Sequence, residues 1–564
     1  MSNDREQKTG GGSKRRTGGR PERKAGDRPE RRSGGRPDRK AGDRPERRGS
    51  GRPDRREGDR PERRASGRPD RRSGDRPERG ASGRPDRRVG DRPERKTDGE
   101  PEQKPRELRT VYLLLAGGAG RRLWPSSRDL RPKPLLRPDF EMSLLESAVS
   151  LINSCEHSPE VTVLAGAAQE EAFRSHIDGM DTGGARVRLS CEPVSRNTAP
   201  AIALGAMRAL DLAGEEDDED ADVVVAALPS DHFVGDNKEF KRALSAAVSA
   251  AKKGSIAVIG VQPTRPETGY GYIKRGAAAG AGVFNVGGFT EKPDAETAAG
   301  YVEDGFLWNC GIFVFRARVM IDEIKKHAPE VFAAVRGAVS KQDSYGLPDR
   351  QRYARSLDIS IDYAVMEKTD LGAVVPAGFE WSDVGSWRAV YDILKKGKGG
   401  NVVKGDAVVE NSEDCLVLAG GGRLVAAGGL KDIAVVDEGD ALLVADMNSP
   451  ESVKALATRL AADKRPEAFL PAQREYKWGA ETEIESGEGF SVRGVSVKKK
   501  MEYEPGGAGH ILVLEGEAVA SLASKSVRLS AGDMVEIPDD VSARFKNGGV
   551  SVLRLLEVSF KREG

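Results

Sequence analysis

Cysteine is scarce in this chain and never paired. The four thiols, Cys155, Cys191, Cys310 and Cys415, stand far apart with no CxxC among them, which argues against a disulfide framework or zinc knuckle and fits a reducing compartment. No apolar run approaches the roughly 20 residues of a membrane span, and the N-terminus carries no apolar signal core. The expectation is a soluble cytoplasmic protein. Residues 1–100 hold no Phe, Tyr or Trp, so that segment lacks the ring faces on which nucleic-acid bases stack. Histidine is rarer still: there are five, and only His510 lies beyond residue 327.

Charge of both signs is plentiful but unevenly placed. Residues 1–100 contain 34 Lys and Arg against 20 Asp and Glu, a surplus of 14, so the net +2 leaves the rest of the chain at −12. An Arg-Pro dipeptide recurs every eight residues from Arg20 to Arg92, in variants of GRPERR(A/S)G and GRPDRR. Proline and glycine in each octad forbid a continuous helix, and the near absence of apolar side chains leaves nothing to bury. Residues 1–105 are therefore expected to form a disordered tail. Its cations could hold an anionic polymer or membrane weakly and in a salt-sensitive way. An acid in every octad and the missing aromatics give no basis for specific nucleic-acid recognition, and a merely solvated low-complexity extension is an equal alternative.

At 564 residues the chain is too long for one core and predicts three or four units. Residues 106–396 alternate short apolar runs with segments of helical period. Val111–Ala116, Val161–Ala165, Val223–Leu228, Ile256–Val261 and Gly311–Phe315 read as strands, and 144–153, 199–212 and 240–252 read as helices. This alternation predicts an α/β, Rossmann-like core with a mostly parallel sheet, whose ligands gather at the carboxyl ends of the strands.

The stretch GGAGRRLWPSSRDLRPKP, residues 117–134, leaves the first of those strands. A glycine-rich turn there brings bare backbone N–H groups to phosphate oxygens, with Arg121, Arg122, Arg128 and Lys133 as countercharge. It is not a P-loop, because no Gly-Lys-Ser/Thr closes it, nor a dinucleotide fingerprint, because Leu123 stands where the third glycine is needed. By itself such a turn is often only a tight turn, so other segments must carry the argument.

Nine segments in order do: GGAGRRLWPSSR (117–128) and PKP (132–134) within that stretch, then EPVSRNTAPA (192–201), LPSDH (228–232), TGYGYI (268–273), FTEKP (289–293), WNCGIF (308–313), SIDYAVMEK (360–368) and WSDVGSW (381–387). Together and in this order the sequence resembles the sugar-1-phosphate nucleotidyltransferases, specifically the long bacterial mannose-1-phosphate guanylyltransferases that carry a cupin domain behind the transferase. The resemblance implies transfer of GMP from GTP to mannose 1-phosphate, giving GDP-mannose and pyrophosphate, with Mg²⁺ as cofactor. It implies Arg122 and Lys133 as catalytic residues, and Gly117, Gly118, Gly120, Arg196 and Asn197 as nucleotide-binding ones. Gly271, Glu291, Lys292 and Asn309 are implied at the sugar phosphate, and Asp231 and Asp383 at the metal. Cys310 stands where the family often has Ser or Ala and reads as packing. Two alternatives stay open: another NTP or hexose 1-phosphate, or a non-catalytic regulatory relative tethered by its basic tail.

Residues 397–470 are rich in Val, Ala and Gly in short alternating runs, which suggests a small β-solenoid and a linker, a unit the family uses for homo-oligomers, here expected to be a dimer. Residues 471–564 read as all-β and resemble the cupin domain that in bifunctional relatives isomerises mannose 6-phosphate and fructose 6-phosphate. Where those relatives carry metal ligands this chain has Glu504, Gly506, Gly509 and Ala543 around His510. Glycine and alanine offer no ligand atom, so the expectation is a cupin β-barrel without its metal site and without isomerase activity.

Overall fold

The structure is a computed structural model that describes residues 108–560 apart from 119, 140, 215–221, 345 and 524. The tail expected over residues 1–105 lies outside the described residues.

The first unit is a nine-stranded sheet between two helical layers. Its strands are β1 (Thr110–Leu115), β2 (Glu160–Gly166), β3 (Arg186–Glu192), β4 (Val224–Pro229), β6 (Ile256–Val261), β7 (Gly271–Gly280), β8 (Val283–Glu291), β9 (Leu307–Arg316) and β10 (Gly372–Ala377). A two-residue strand β5 (Phe233–Val234) pairs with β11 (Trp381–Ser382) beside it. Alternation along β1 explains the layering. Val111 and Leu113 enter one core with Ala199, Ile202, Met320 and Val331, while Tyr112 and Leu114 enter the other with Leu145, Val149, Phe240 and Ala243. A strand buried on both faces is the mark of a sheet covered twice.

The helices are α1 (Leu144–Cys155), α2 (Glu170–Gly179), α3 (Thr198–Ala213), α4 (Asn237–Lys252), α5 (Ala295–Glu303), α6 (Ala317–His327), α7 (Pro329–Val339), α8 (Arg350–Tyr353), α9 (Trp387–Ile393) and α10 (Pro450–Ala462). Local chemistry sets their starts. Ser143 and Glu146 form a reciprocal capping box at α1, and Asp236 accepts from the backbone of Lys238 and Glu239 at α4.

The sheet order is β3-β2-β1-β4-β9-β6-β10-β8-β7. Only the β3-β2-β1-β4 side and the β6–β10 pair are parallel. In strand direction the sheet is mostly parallel, as expected, with β8 and β9 running against the others. β9 runs antiparallel between β4 and β6, and β7 and β8 form an antiparallel hairpin at the edge. The inserted β9 carries WNCGIF straight to the carboxyl end of β4.

After α9 the chain winds through β12 (Val402–Gly405), β13 (Ala407–Glu410), β14 (Leu416–Ala419), β15 (Val425–Gly428), β16 (Ile433–Asp437) and β17 (Leu442–Asp446). Leu416 pairs in parallel with both Val402 and Ala434, and Ala407 pairs with Val425, which stacks the coils as a small solenoid. Its core is continuous with the glycine-rich turn: Leu416, Leu418, Val436 and Leu443 share one cluster with Leu123, Trp124 and Trp387.

The last unit has strands β18 (Gln473–Tyr476), β19 (Gly479–Gly487), β20 (Phe490–Val497), β21 (Glu502–Tyr503), β22 (Gly509–Glu515), β23 (Glu517–Leu522), β24 (Lys525–Ser530), β25 (Met534–Ile537), β26 (Ala543–Asn547) and β27 (Leu553–Phe560). They form two antiparallel sheets, β18-β19-β20-β27-β22-β25 and β21-β26-β23-β24. Alternate residues such as Val495, Val497, Ile511, Val513, Phe545, Leu553 and Leu555 fill the space between them, as a β-barrel of the cupin kind requires.

Candidate active site

β1 delivers the chain to Gly117 and Gly118, both exposed, and to Gly120. Gly118 and Gly120 have φ of 99° and 66°, a region open to glycine. At Gly120 the requirement is also steric, since a Cβ there would lie 2.6 Å from Cβ of Lys133. The turn and the PKP segment are thereby in contact.

The Lys133 ammonium lies 2.9 Å from Asp231 Oδ2 and donates to the backbone carbonyl of Asp383. Asp231 follows β4, so β1 and β4, paired in parallel, bring the turn and LPSDH to one edge of the sheet. Burial pushes the Asp231 carboxyl up, but Lys133 and His232 reverse this and hold it below its ordinary value. Asp383 Oδ1 accepts from the Tyr270 hydroxyl at 2.9 Å and from the Gly385 backbone N–H at 3.1 Å, which fixes the carboxylate. The next residue, Val384, is fully buried at φ 48°, a strained conformation for a β-branched side chain. Strain of this kind persists where surrounding packing over-determines it, here beside a carboxylate that must point one way.

A second group gathers around Gly271. A Cβ there would meet Glu291 Oε2 at 2.5 Å and Asn309 Cβ at 3.3 Å, so the glycine gives room to both side chains. Asn309 donates to Asp362 Oδ1 at 2.9 Å and accepts from Gly311 N–H at 2.8 Å. Burial, reinforced by Glu291, pushes the Asp362 carboxyl up to about 6. Lys292, at φ 49°, bonds Glu291; burial pulls its ammonium down, but that bond outweighs it and the net shift is upward. Cys310 is fully buried, and burial pushes its thiol well up, consistent with a packing side chain.

Aromatic rings join the two groups. Tyr270 contacts Trp308 and Trp381 at 5.1 and 4.9 Å between ring centroids, and His232 meets Trp381 at 5.3 Å. The buried Trp308 Nε1, Trp381 Nε1 and His232 Nδ1 have no hydrogen-bond partner among the described residues. These residues and Asp362 were not singled out from sequence. The signal was present, since all lie inside LPSDH, TGYGYI, WNCGIF, SIDYAVMEK or WSDVGSW.

The remaining expected residues are placed differently. Arg196 donates to the Ala354 carbonyl at 3.2 and 2.9 Å, and Asn197, at φ 67°, caps α3. Arg122 pairs with Glu451 of α10 at 2.8 Å. Arg121 pairs with Asp129 at 2.8 Å, and that bond raises its already high pKa. Arg128 requires a correction. Its side chain is 0% exposed and held bidentately by Asp440 at 2.6 Å, so it supplies no countercharge to a phosphate.

Residues 111–398 match the nucleotidyl transferase family. The chain is 34% identical to a mannose-1-phosphate guanylyltransferase of Salmonella montevideo, over 79% of this chain and 95% of that one. It is 34% identical to the alginate biosynthesis protein AlgA of Pseudomonas aeruginosa, over 79% and 93%. Among solved structures it is similar to one from Thermus thermophilus described as a mannose-1-phosphate geranyltransferase, with 34% identity and a TM-score of 0.55, covering 63% of this chain and all of that one. The chain belongs to the nucleotidyl transferase family, alongside the mannose-1-phosphate guanylyltransferases.

Proposed function

We propose that the protein transfers GMP from GTP to mannose 1-phosphate, giving GDP-mannose and pyrophosphate for polysaccharide or glycoconjugate synthesis. The observation that carries this reading is the convergence of Lys133, Asp231 and Asp383 beside an exposed glycine turn, with the Gly271–Glu291–Asn309 group joined to them through Tyr270 and Trp308. The names of the relatives supply the substrates.

A phosphate oxygen of mannose 1-phosphate attacks the α-phosphorus of GTP, and pyrophosphate leaves. The attacking oxygen is already anionic near neutral pH, so no general base is needed; the work is in-line positioning and relief of crowded negative charge. Backbone N–H groups of Gly117, Gly118 and Gly120 cradle the triphosphate, and Lys133 and Arg122 stabilise the charge passing to pyrophosphate. Glu291 and Asn309 hydrogen-bond sugar hydroxyls, and Lys292 pairs with the sugar phosphate.

Asp231 and Asp383 fit Mg²⁺. Lys133 pairs with the Asp231 carboxylate and donates to the Asp383 backbone carbonyl, so both aspartates stand beside one ammonium; carboxylates are hard-oxygen donors, and Mg²⁺ takes one or two of them and completes its shell with phosphate oxygens and water. When bound, the ion supplies charge neutralisation on the phosphates. The Arg196–Asn197 segment is assigned to the nucleotide side. A homodimer, a cytoplasmic location and weak anionic contacts of the 1–105 tail complete the reading; no helix of the described residues is long and apolar enough to cross a membrane.

Pyrophosphate release, measured for each NTP against a panel of hexose 1-phosphates, tests it. Fastest release with GTP and mannose 1-phosphate is expected. A preference for another pair would reassign the specificity, and silence with every pair would favour the non-catalytic reading.

A further inference from the structure

We infer that Asp440, in the turn between β16 and β17, is a positioning residue for the nucleotide-binding turn, acting through Arg128 across the junction between the solenoid and the transferase core. The inference rests on the proposed assignment of Gly117, Gly118, Gly120 and Lys133 to the triphosphate.

The phosphate-facing end of the turn has little packing of its own. Gly117 and Gly118 are exposed, and a Cβ at either would meet nothing within 4 Å. Glycine backbone without side-chain packing has the most freedom to lose, so its geometry must be imposed from the far end. Three bonds do so. Leu123 N–H donates to Gly120 O at 2.9 Å, Ser127 N–H donates to Leu123 O at 2.9 Å, and the Ser127 hydroxyl donates to Gly120 O at 2.5 Å. Gly120 in turn lies against Lys133.

The segment 124–131 is itself held from outside the transferase core. The Arg128 guanidinium donates to both Asp440 oxygens at 2.6 Å, to Pro125 O at 2.8 Å and to Leu470 O at 2.8 Å. Asp440 Oδ2 also accepts from Ala472 N–H at 3.0 Å. A guanidinium with no solvent exposure is tolerated only when paired and hydrogen-bonded in this way. Flanking bonds repeat the arrangement. Glu438 takes Arg131 at 3.2 Å together with the Ser126 hydroxyl, Leu130 N–H donates to Phe469 O at 3.0 Å, and Trp124 Nε1 donates to Glu467 O at 3.0 Å. Residues 438–470 therefore clasp the whole back of the turn. Fork-to-fork geometry fixes direction as well as distance, which is what a catalytic cradle needs and what an apolar contact alone would not provide.

The test uses the full chain with Asp440→Asn and Asp440→Glu. Steady-state kinetics should give a KM for GTP raised about tenfold or more in Asp440→Asn, because misplacing a cradle by about an ångström costs on the order of 10-fold to 100-fold. The KM for mannose 1-phosphate should stay within about twofold, and Asp440→Glu should recover most of the loss by restoring the charge. Limited trypsin digestion should show faster cutting after Arg122 and Arg128 in Asp440→Asn, with cutting in residues 471–564 unchanged. Should Asp440→Asn fail to fold, Glu438→Gln, at a partly exposed site, is expected to raise the KM for GTP in the same selective way. Wild-type KM for GTP in the folded variants overturns the inference, and so does an equal rise for both substrates with a lowered Tm. A wild-type enzyme that turns over no nucleotide overturns the proposed function instead.

Discussion

The Arg122 guanidinium is paired at 2.8 Å with the Glu451 carboxylate in the first turn of α10, so a side chain assigned to the triphosphate is held by an acid from beyond the transferase core. Both partners are well exposed, and Arg122 holds the Glu451 carboxyl below its ordinary value. An exposed pair of this kind contributes little, so a triphosphate displaces the carboxylate readily. Glu451→Gln should lower the KM for GTP by about two- to fivefold with kcat little changed. Arg122→Ala should depress kcat by a factor on the order of 10². Arg121→Ala, which loses only the Asp129 bond, should cost less, and the reverse ranking in initial rates would reassign the two arginines.

Asp231 and Asp383 offer a sharper test, because each can be changed without changing shape. Asp231→Asn leaves Lys133 without its counter-ion, while Asp383→Asn keeps an amide oxygen for the Tyr270 and Gly385 donors. Either should lower turnover by about two orders of magnitude or more. Titration of the protein with Mn²⁺, read by electron paramagnetic resonance in the presence of GTP, should show weakened metal binding in both. Wild-type rates in both variants would remove the metal assignment.

Much of the site was readable because its residues fall in short motifs at strand ends. LPSDH follows the apolar run of β4, and that alone places Asp231 at a carboxyl edge. The strand positions were legible for the same reason, since βαβ alternation is a local signal. The insertion of β9 between β4 and β6 was not, because antiparallel pairing of residues as far apart as Val224 and Arg316 leaves no local pattern. Arg128 was misread for a related reason. In sequence it is one cation in a cationic stretch, and only the fold brings Asp440 to it from 312 positions away. Tyr270 and Trp381 are likewise far apart in sequence, and only the fold brings their rings together beside the Tyr270 bond to Asp383.

Glu192, the first residue of EPVSRNTAPA, gives a pH dependence of known sign. It is buried, accepts the Tyr353 hydroxyl at 2.6 Å, and burial pushes its carboxyl from an ordinary 4.5 to about 7, partly opposed by that bond. An acid raised in the folded state stabilises the fold fully below its unfolded value and loses that stability as pH rises through its folded value. The window is thus about pH 4.5 to 7, and the shift corresponds to about 3 kcal/mol. Tm should fall across this range in the wild type. Glu192→Gln, which keeps an oxygen for Tyr353, should flatten the profile and raise Tm above pH 7. Parallel Tm curves for the two proteins would refute the assignment to Glu192.

The protein is expected not to interconvert mannose 6-phosphate and fructose 6-phosphate, despite carrying a cupin. That isomerisation needs a metal or equivalent acid to polarise the carbonyl and a base to move the proton, and zinc sites take three ligands from His, Glu or Cys. At Gly509 a Cβ would lie 2.2 Å from Val558 O and 2.9 Å from Ser559 Cα, so no ligand side chain can stand there without moving backbone. At Gly506 the nearest atom to a Cβ would be Arg493 Nη2, 3.7 Å away. That guanidinium bonds Glu557 at 2.8 Å, and Glu557 also takes the Tyr503 hydroxyl. A fixed cation therefore stands beside the position where a ligand would have to reach a metal, and it repels a second cation. Glu504 faces outward in a 2.6 Å pair with Arg544, and Ala543 is buried without a donor atom. His510 Nδ1 has no hydrogen-bond partner among the described residues and the ring packs against Phe560, and one imidazole holds a divalent ion weakly. Zinc analysis of the full-length protein, paired with a coupled assay for fructose 6-phosphate formation, should return substoichiometric zinc and no turnover above the heat-killed control. One bound zinc per chain with measurable isomerisation would show that ligands arrive from elsewhere and that the Arg493–Glu557 pair opens to admit the ion.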